Sequence, residues 1–344
     1  MNYRATPQPL RELDHSMEAS RRGFLRGTLS CGAYTLFALA GTTAVNRRAF
    51  AQTAGEAVIT EPFARVEKLA EGAWAVVSTP QGGGKTVSNG GIIAGREGVL
   101  VIEGFMTVAG GAWLSKTARQ LTRRWPTHVA LTHFHGDHSN GLAGHMRGED
   151  SPAVMATLKT RELLLGRYGQ DVGDAGGATM KRTGEARLVP NVILVDTKRP
   201  TEVNLGGRTV RMTPRIGHTP SDLTIELDEP RITWCGDLFF NRLFPYYGDA
   251  LPSKLAASCA ALFKDEGRTF VPGHGPVASR EDVRHYLGLI EDVGEAAKKA
   301  FEKGQSVDQA WRAYEIPTSL GEWAKFRDDV YRFAFEAWAR ELKG

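Results

Sequence analysis

The sequence predicts a mixed α/β domain with a helical extension at its carboxyl end. Short β-branched runs alternate with helix-like stretches between residues 74 and 275, which is the pattern of a layered α/β fold. After about residue 280 the pattern is wholly helical. The chain has 344 residues, 42% of them apolar, so it is long enough to bury a substantial core.

The individual elements follow from β-branched runs, helical periodicity and the residues that interrupt them. Pro126 ends the first helix, and Gly206-Gly207 marks the turn of a hairpin. Strands are predicted at residues 74–79, 88–95, 98–104, 127–133, 153–157, 191–196, 201–214 (the hairpin), 223–228, 231–237 and 269–275. Helices are predicted at residues 108–124, 141–146, 253–265, 280–303, 306–314 and 319–342. The polar, glycine-rich residues 166–190 are predicted to form a mobile insertion.

The net charge of +4 comes from the amino-terminal segment. Residues 1–51 hold seven Lys or Arg and three Asp or Glu, which leaves 36 basic and 36 acidic residues in the remainder. A remainder without net charge argues against general nucleic-acid binding.

Residues 1–51 have the order of an export signal. SRRGFLRG is followed by an apolar run at 28–45 and by Ala49 and Ala51, the small residues of a cleavage site. The pair Arg21-Arg22 resembles the twin-arginine signal. We therefore expect cleavage near Gln52 and a periplasmic protein without stable membrane association. A membrane anchor is the alternative, because about 18 apolar residues can just span a bilayer.

Two cysteines, Cys235 and Cys259, remain after this cleavage. We expect two buried free thiols, although their pairing stays open because a sequence does not show proximity.

The stretch THFHGDHSNG (132–141) concentrates side chains that bind metals. His133 and His135 lie two residues apart at a predicted strand end, so they share one side of an extended chain. The glycine that follows allows a sharp turn, which brings Asp137 and His138 to a second position. Imidazole and carboxylate are ligands that zinc accepts. Four such groups exceed the needs of one metal with three protein ligands, and the spacing predicts two adjacent metals.

Three later segments, GHTPSD, CGD and PGHGP, each place one more such side chain just after a strand: His218, Asp237 and His274. The order H-x-H-x-D-H, then Gly-His, then Asp at a strand end, then a final His resembles the metallo-β-lactamase fold superfamily. The resemblance covers about residues 62–280. It implies a four-layer αββα sandwich with a metal site along one edge of two facing sheets. Exported metallo-hydrolases associated with quinoprotein dehydrogenase systems have a similar layout.

The export signal, the resemblance and the helical pattern together divide the chain into three parts. These are a twin-arginine signal peptide at 1–51, a metallo-β-lactamase-like domain at 52–280 and a helical extension at 281–344. The extension is expected to pack on the domain, because apolar residues such as Val283 and Tyr286 recur at helical spacing and no Pro/Gly-rich linker precedes them.

The resemblance also implies a ligand set for two Zn²⁺ ions, with iron or manganese as alternatives. The first ion would be held by His133, His135 and His218, the second by Asp137, His138 and His274, and Asp237 would bridge both. Glu103 stands where the family usually has an Asp that supports the histidine loop. Partners of metal ligands orient them, so this longer side chain bears on the geometry of the loop.

The implied chemistry is hydrolysis of an ester, thioester, lactone or amide in a small-molecule substrate. Two metals about 3.5–4 Å apart lower the pKa of a shared water to about 7, and the metal-bound hydroxide attacks. Asp137 is the candidate catalytic residue, which would steer the nucleophile or the departing proton. The chain has no G-x-S-x-G motif, which argues against a covalent acyl-enzyme.

Pocket walls are expected from residues 78–89, 166–190 and 239–249. The last segment is dense in aromatic residues, which either pack under the helical extension or form a wall for an apolar substrate. These aromatic residues are Phe239, Phe240, Phe244, Tyr246 and Tyr247. Arg242 is expected to be solvated, with contact to an anionic substrate group as the alternative.

Three other functions stay open. The first is an iron-dependent oxidoreductase similar to persulfide dioxygenases, although di-iron relatives carry Glu where this chain has His135. The second is a β-lactamase, although lactamases of this fold typically lack an Asp at the position of Asp237 and one group uses Cys there. Cys235 lies one pleat deeper and is expected in the core. The third is a non-catalytic accessory protein with a periplasmic dehydrogenase as partner, against which the complete ligand set argues.

Overall fold

The computed structural model describes residues 55–79, 84–168, 192–265 and 267–344, and their strands form two sheets. The first sheet keeps its eight strands in chain order. They are β1 (Glu56–Glu61), β2 (Ala64–Ala70), β3 (Ala73–Ser78), β4 (Gly90–Ala94), β5 (Val99–Ile102), β6 (His128–Ala130), β7 (Ala153–Thr157) and β8 (Val192–Val195). Neighbours are antiparallel up to β5 and parallel from β5 to β8.

The second sheet has five strands in the order β13-β12-β11-β10-β9. They are β9 (Thr201–Asn204), β10 (Thr209–Arg215), β11 (Asp222–Leu227), β12 (Ile232–Trp234) and β13 (Thr269–Val271). Strands β9, β10, β11 and β12 pair antiparallel in that order, and β13 runs parallel to β12. The carboxyl ends of β12 and β13 therefore lie side by side.

Seven α-helices accompany these sheets in the described part of the chain. They are α1 (Val108–Thr122), α2 (Gly136–Ser139), α3 (Leu158–Tyr168), α4 (Pro252–Leu262), α5 (Arg280–Glu302), α6 (Val307–Ala313) and α7 (Val330–Lys343). Local sequence explains where the longest one begins. Ser279 and Asp282 form a capping box at the start of α5, which satisfies backbone N–H groups that a helix leaves unpaired.

The sheets pack face to face over a core that includes Ile93 and Leu100 from the first sheet and Ile225 and Trp234 from the second. The other face of the first sheet packs against α1, which contributes Leu114. Beyond the second sheet, α4, α5 and α7 share a third cluster with residues around β12 and β13. The order of layers is helix, sheet, sheet, helix, which confirms the predicted sandwich.

The helical extension packs directly on this domain. Tyr286 of α5 is fully buried, and its ring centroid lies 4.8 Å from that of Phe239. Phe244 packs edge-on against Tyr331 of α7 at 4.6 Å. Burying side chains of this size contributes about 1.5–3 kcal/mol each.

Truncation after residue 280 should therefore destabilise the domain and make it aggregate, because the aromatic residues beneath α5 and α7 become exposed to solvent. Thermal unfolding and size-exclusion chromatography of fragments 52–280 and 52–344 measure this. A short fragment that stays soluble with an unchanged melting temperature would contradict it.

The predicted helix at 319–342 is wrong in its first half. A 3-10 turn occupies Thr318–Leu320, and α7 begins only at Val330. Gly321 has φ +81°, and Ala324 forms a β-bridge with Leu243. The segment between them is thus drawn into an extended conformation by a partner distant in sequence.

Other predictions differ at the edges of the fold. Strands β1 and β2 and helix α3 were not predicted. Of the strand expected at 127–133, only the three residues of β6 are in a strand. Most of the predicted insertion at 166–190 lies outside the described residues, apart from the last residues of α3. The proposed signal, residues 1–51, also lies outside them. None of the described helices combines the length and hydropathy of a membrane span.

Candidate metal centre

The seven predicted ligands converge at one edge of the sandwich. His133 and His135 follow β6, and Asp137 and His138 lie in α2. The remaining three, His218, Asp237 and His274, follow β10, β12 and β13 respectively. All seven are buried. They form two groups, and within each group the ligand atoms lie within 4.8 Å of one another. The first group is His133, His135, His218 and Asp237, and the second group is Asp137, His138 and His274.

Asp237 lies between the two groups. Its Oδ2 is 3.3 Å from Nε2 of His218 and 3.8 Å from Nε2 of His133. Its Oδ1 is 3.1 Å from Nε2 of His138 and 3.3 Å from Nε2 of His274. Each oxygen thus faces a different group, so this carboxylate could contact cations held by either one.

Several buried atoms of these groups lack hydrogen bonds within the described residues. They are Nε2 of His133, Nε2 of His138, Oδ2 of Asp137 and Oδ1 of Asp237. Buried polar atoms without partners are costly and demand an explanation. Each of these atoms lies 3.1–3.8 Å from another ligand atom of the site, and their types are those that zinc and iron accept. The residues therefore fit bound metal ions.

The charges of the site lead to the same conclusion. Burial opposes ionisation of Asp237, but the imidazoles of His138, His274 and His218 outweigh it and hold the pKa of Asp237 well below its usual range. Burial also opposes protonation of His274, but the carboxylates of Asp237 and Asp137 raise its pKa to about 9. The buried carboxylates thus require positive charge nearby, and cations that bind here would displace protons from the histidines.

Glu103 supports the second group. Its Oε1 lies 3.1 Å from Nδ1 of His138 and accepts a hydrogen bond of 2.5 Å from the hydroxyl of Thr132. The backbone of Glu103 has φ +78°, a conformation that costs energy for a non-glycine residue. His145 contacts its carbonyl oxygen through Nε2 at 3.2 Å, and Ser115 contacts Nδ1 of His145 at 2.8 Å. The longer side chain therefore reaches the ligand ring from a fixed backbone.

Asp249 supports the first group, and sequence reasoning missed it. Its Oδ2 lies 2.8 Å from Nε2 of His135. The other ring nitrogen of His135, Nδ1, lies 3.0 Å from Nε2 of His218. Since a carboxylate on one nitrogen fixes the direction of the other, His135 presents Nδ1 to the group. Asp249 belongs to no motif, and its position at the end of the aromatic segment was the only available signal.

Two further polar side chains hold the loops that carry ligands. Asp222 accepts hydrogen bonds from the backbone N–H and the hydroxyl of Thr219, the latter at 2.7 Å, and so fixes the turn after the third histidine. Asn89 donates from Nδ2 to the carbonyls of Pro272 at 2.9 Å and Gly275 at 2.7 Å. The loop with the last histidine is thereby tied to the first sheet.

The aromatic segment after Asp237 belongs to the core. At most 1% of the surface of each ring residue is exposed: Phe239, Phe240, Phe244, Tyr246 and Tyr247. The structure thus favours packing under the helical extension over a wall for substrate. Phe240 also stacks on the ring of His274, with centroids 4.9 Å apart. Arg242, expected to be solvated, instead donates to Asp282 at 3.0 Å.

The two cysteines lie in the hydrophobic core and not among the candidate metal ligands. Cys235 and Cys259 are free and buried, which confirms the prediction of two unpaired thiols. Cys235 lies in the cluster shared with the helical extension, whereas Asp237 lies among the ligands. The strand end therefore directs the carboxylate, and not the thiol, into the site.

The αββα sandwich and the two groups of buried histidines and carboxylates define a fold with a candidate metal centre at its edge. A family model described as the metallo-beta-lactamase superfamily matches residues 83–274. This match spans more than half of the chain, and the chain belongs to that superfamily.

Solved structures share the fold at low sequence identity. The sec-alkylsulfatase Pisa1 from Pseudomonas sp. is 15% identical with a TM-score of 0.61, over 80% of this chain and 50% of the sulfatase. This chain thus spans about half the length of that enzyme. A metallo-beta-lactamase from Erythrobacter litoralis is 23% identical with a TM-score of 0.52, over 68% of this chain and 99% of that one. A search of curated protein sequences gave no match.

Proposed function

We propose that the protein is a dinuclear zinc hydrolase that acts, after export to the periplasm, on an ester, thioester, lactone or amide. The observation that carries this proposal is the position of Asp237, whose two oxygens face two different groups of histidines. A single ion would leave one of these groups, and one carboxylate oxygen, without a cation.

When bound, the ions would supply a Lewis acid that polarises the scissile carbonyl and lowers the pKa of water. The protein contributes the geometry around them. His133, His135 and His218 form one group, and Glu103 and Asp249 orient a ring in each group. Rings fixed in this way need no reorganisation when charge develops on the substrate.

Asp137 is the proposed catalytic residue. Its Oδ2 lies 3.2 Å from Nε2 of His274 and 3.5 Å from Nε2 of His138, so the carboxylate belongs to the second group. The neighbouring imidazoles hold its pKa below the usual range against the effect of burial. An ionised carboxylate at this position can accept the hydrogen bond of an attacking water and orient it.

Zinc content and substrate class can be tested together. The purified chain 52–344 should contain two zinc ions by elemental analysis. It should hydrolyse members of a panel of aryl esters, thioesters, lactones and amides. The panel also includes a secondary alkyl sulfate, because Pisa1 is described as a sec-alkylsulfatase, and a β-lactam, for which we expect weak or absent turnover. Activity should vanish after chelation and return with Zn²⁺.

Two outcomes would contradict the proposal. Iron in place of zinc, with no hydrolysis of any panel member, would favour the oxidoreductase alternative. Two bound ions without turnover of any substrate would favour a non-catalytic accessory protein.

A further inference from the structure

We infer that Asp249 is a positioning residue for the ion of the first group, and that the helical extension, residues 281–344, holds Asp249 in place. This inference rests on the proposed metal site, but not on hydrolysis. It assigns the extension a role in metal binding in addition to covering the domain.

His135 is the candidate ligand that Asp249 contacts. This ring is 2% exposed, and its Nε2 contacts Oδ2 of Asp249 at 2.8 Å. The side chain of Asp249 is 30% exposed, so burial alone does not fix it. Its position depends on the loop that carries it, residues 239–249.

The extension makes hydrogen bonds with the backbone of this loop. The N–H of Phe244 donates to the carbonyl of Ala324 at 2.9 Å, and the N–H of Ala324 donates to the carbonyl of Arg242 at 2.9 Å. Arg340 of α7 donates to the carbonyl of Gly248 at 3.1 Å, next to Asp249. Three contacts thus join the loop to the segment between α6 and α7 and to α7 itself.

Side-chain packing reaches the ligands by a second path. The ring of Tyr246 lies 5.9 Å from that of His135 and 6.4 Å from that of His218. Two rings of the extension also pack on Tyr246: Phe333 at 5.1 Å and Phe326 at 6.0 Å. A displacement of α7 would therefore move the surroundings of two ligands of the first ion.

The second group has a separate support. His138 is oriented by Glu103, which follows β5 in the first sheet. The two supports come from opposite sides of the sandwich. A change that displaces the extension should therefore lower the affinity for the first ion and leave the second ion bound.

The Asp249 contact is tested most directly in a His274→Ala background, where loss of a second-group ligand should leave one tightly held ion. Adding Asp249→Ala should lower the affinity for this ion about 10–100-fold, measured by competition of Zn²⁺ with a chelator. It should also change the visible spectrum of the Co²⁺-loaded protein. Asp249→Asn should recover part of the affinity, because the amide oxygen still accepts a hydrogen bond from Nε2.

Asp265→Ala is the matched control. Its side chain is also 30% exposed, but it contacts Arg231 at the opposite end of β12. It should leave affinity and spectrum unchanged. If Asp249→Ala also leaves both unchanged, the positioning role is wrong. None of these measurements uses substrate, so a failed hydrolase proposal would not imitate that result.

Two substitutions that each create a cavity test the role of the extension. Phe333→Ala and Leu289→Ala each remove a buried side chain of the extension, and both should lower the melting temperature. Phe333 packs on the ring of Tyr246, whereas Leu289 lies in α5. Loss of Phe333 should therefore weaken binding of the first ion by about tenfold, and loss of Leu289 should not. Equal effects of the two variants on metal affinity, or no effect of either, would overturn the inference.

If Phe333→Ala does not fold, Arg340→Ala carries the same test at an exposed position, with Arg312→Ala as its control. Arg312 is also exposed and contacts the ring of Trp311 on its own helix, α6. Arg340→Ala should lower the affinity for the first ion by a few-fold and Arg312→Ala should not, and equal affinities would count against the inference.

Discussion

Replacement of Asp237 by alanine should remove at least one of the two metal ions and lower hydrolysis by more than about 100-fold. Loss of an outer partner of a metal ligand typically costs 10–100-fold in affinity or activity, and a carboxylate shared by two ions should cost more. Its removal also leaves four imidazoles facing each other without the anion between them. Metal stoichiometry and hydrolysis of the best ester or thioester substrate measure the effect.

Cys235→Ala is the control for this variant, because Cys235 lies two residues earlier and points into the core. It should retain both ions and most of the activity, with a modest loss of stability from the small cavity. Loss of a metal in Cys235→Ala together with full occupancy in Asp237→Ala would reverse the assignment and favour the lactamase alternative.

A single methyl group at position 273 should have nearly as large an effect. A Cβ on Gly273 would lie 2.0 Å from Oδ1 of Asp237 and 2.7 Å from the backbone carbon of Gly236. Neither atom can yield freely, because one belongs to the bridging carboxylate and the other to the main chain. Gly273→Ala should therefore displace Asp237 and lose at least one ion. Overpacking of this kind should also lower the free energy of unfolding by about 1–3 kcal/mol.

Gly166→Ala provides the comparison for that substitution. Gly166 lies in α3, and an added Cβ there meets nothing within 4 Å. This variant should keep both ions and gain stability by roughly 0.5–1 kcal/mol, because alanine favours a helix over glycine. Elemental analysis and chemical denaturation of the two variants compare them directly. Full metal occupancy in Gly273→Ala would show that the bridging position tolerates the methyl group.

The convergence of the seven candidate ligands was predictable because each one follows a strand that the local sequence identifies. His218, Asp237 and His274 stand directly after β-branched runs, and strand ends of one sheet gather at one edge. Asp249 was not predictable in this way. It lies in an irregular loop, and its contact with His135 joins residues 114 positions apart in the chain. Only the folded backbone brings such a pair together.

The same distinction applies to the fold. The helix at 280–302 could be predicted because its apolar spacing and its capping box are local features. The segment before α7 has helical composition, yet Ala324 pairs with the loop near Arg242 and Phe244. Tertiary pairing overrode local propensity there. The packing of the aromatic segment likewise depended on where the extension folds back, which no spacing rule specifies.

The division of the candidate ligands between the two sheets would give bound ions a role in stability similar to that of a cross-link. His133 follows a strand of the first sheet and His274 a strand of the second, so neither layer can hold both ions alone. An ion that binds only the closed sandwich stabilises it by mass action, about 2.7 kcal/mol when its free concentration is 100 times its Kd. Metal uptake would then be a late step of folding, and a chain that holds both ions would be one in which the two sheets have already packed together.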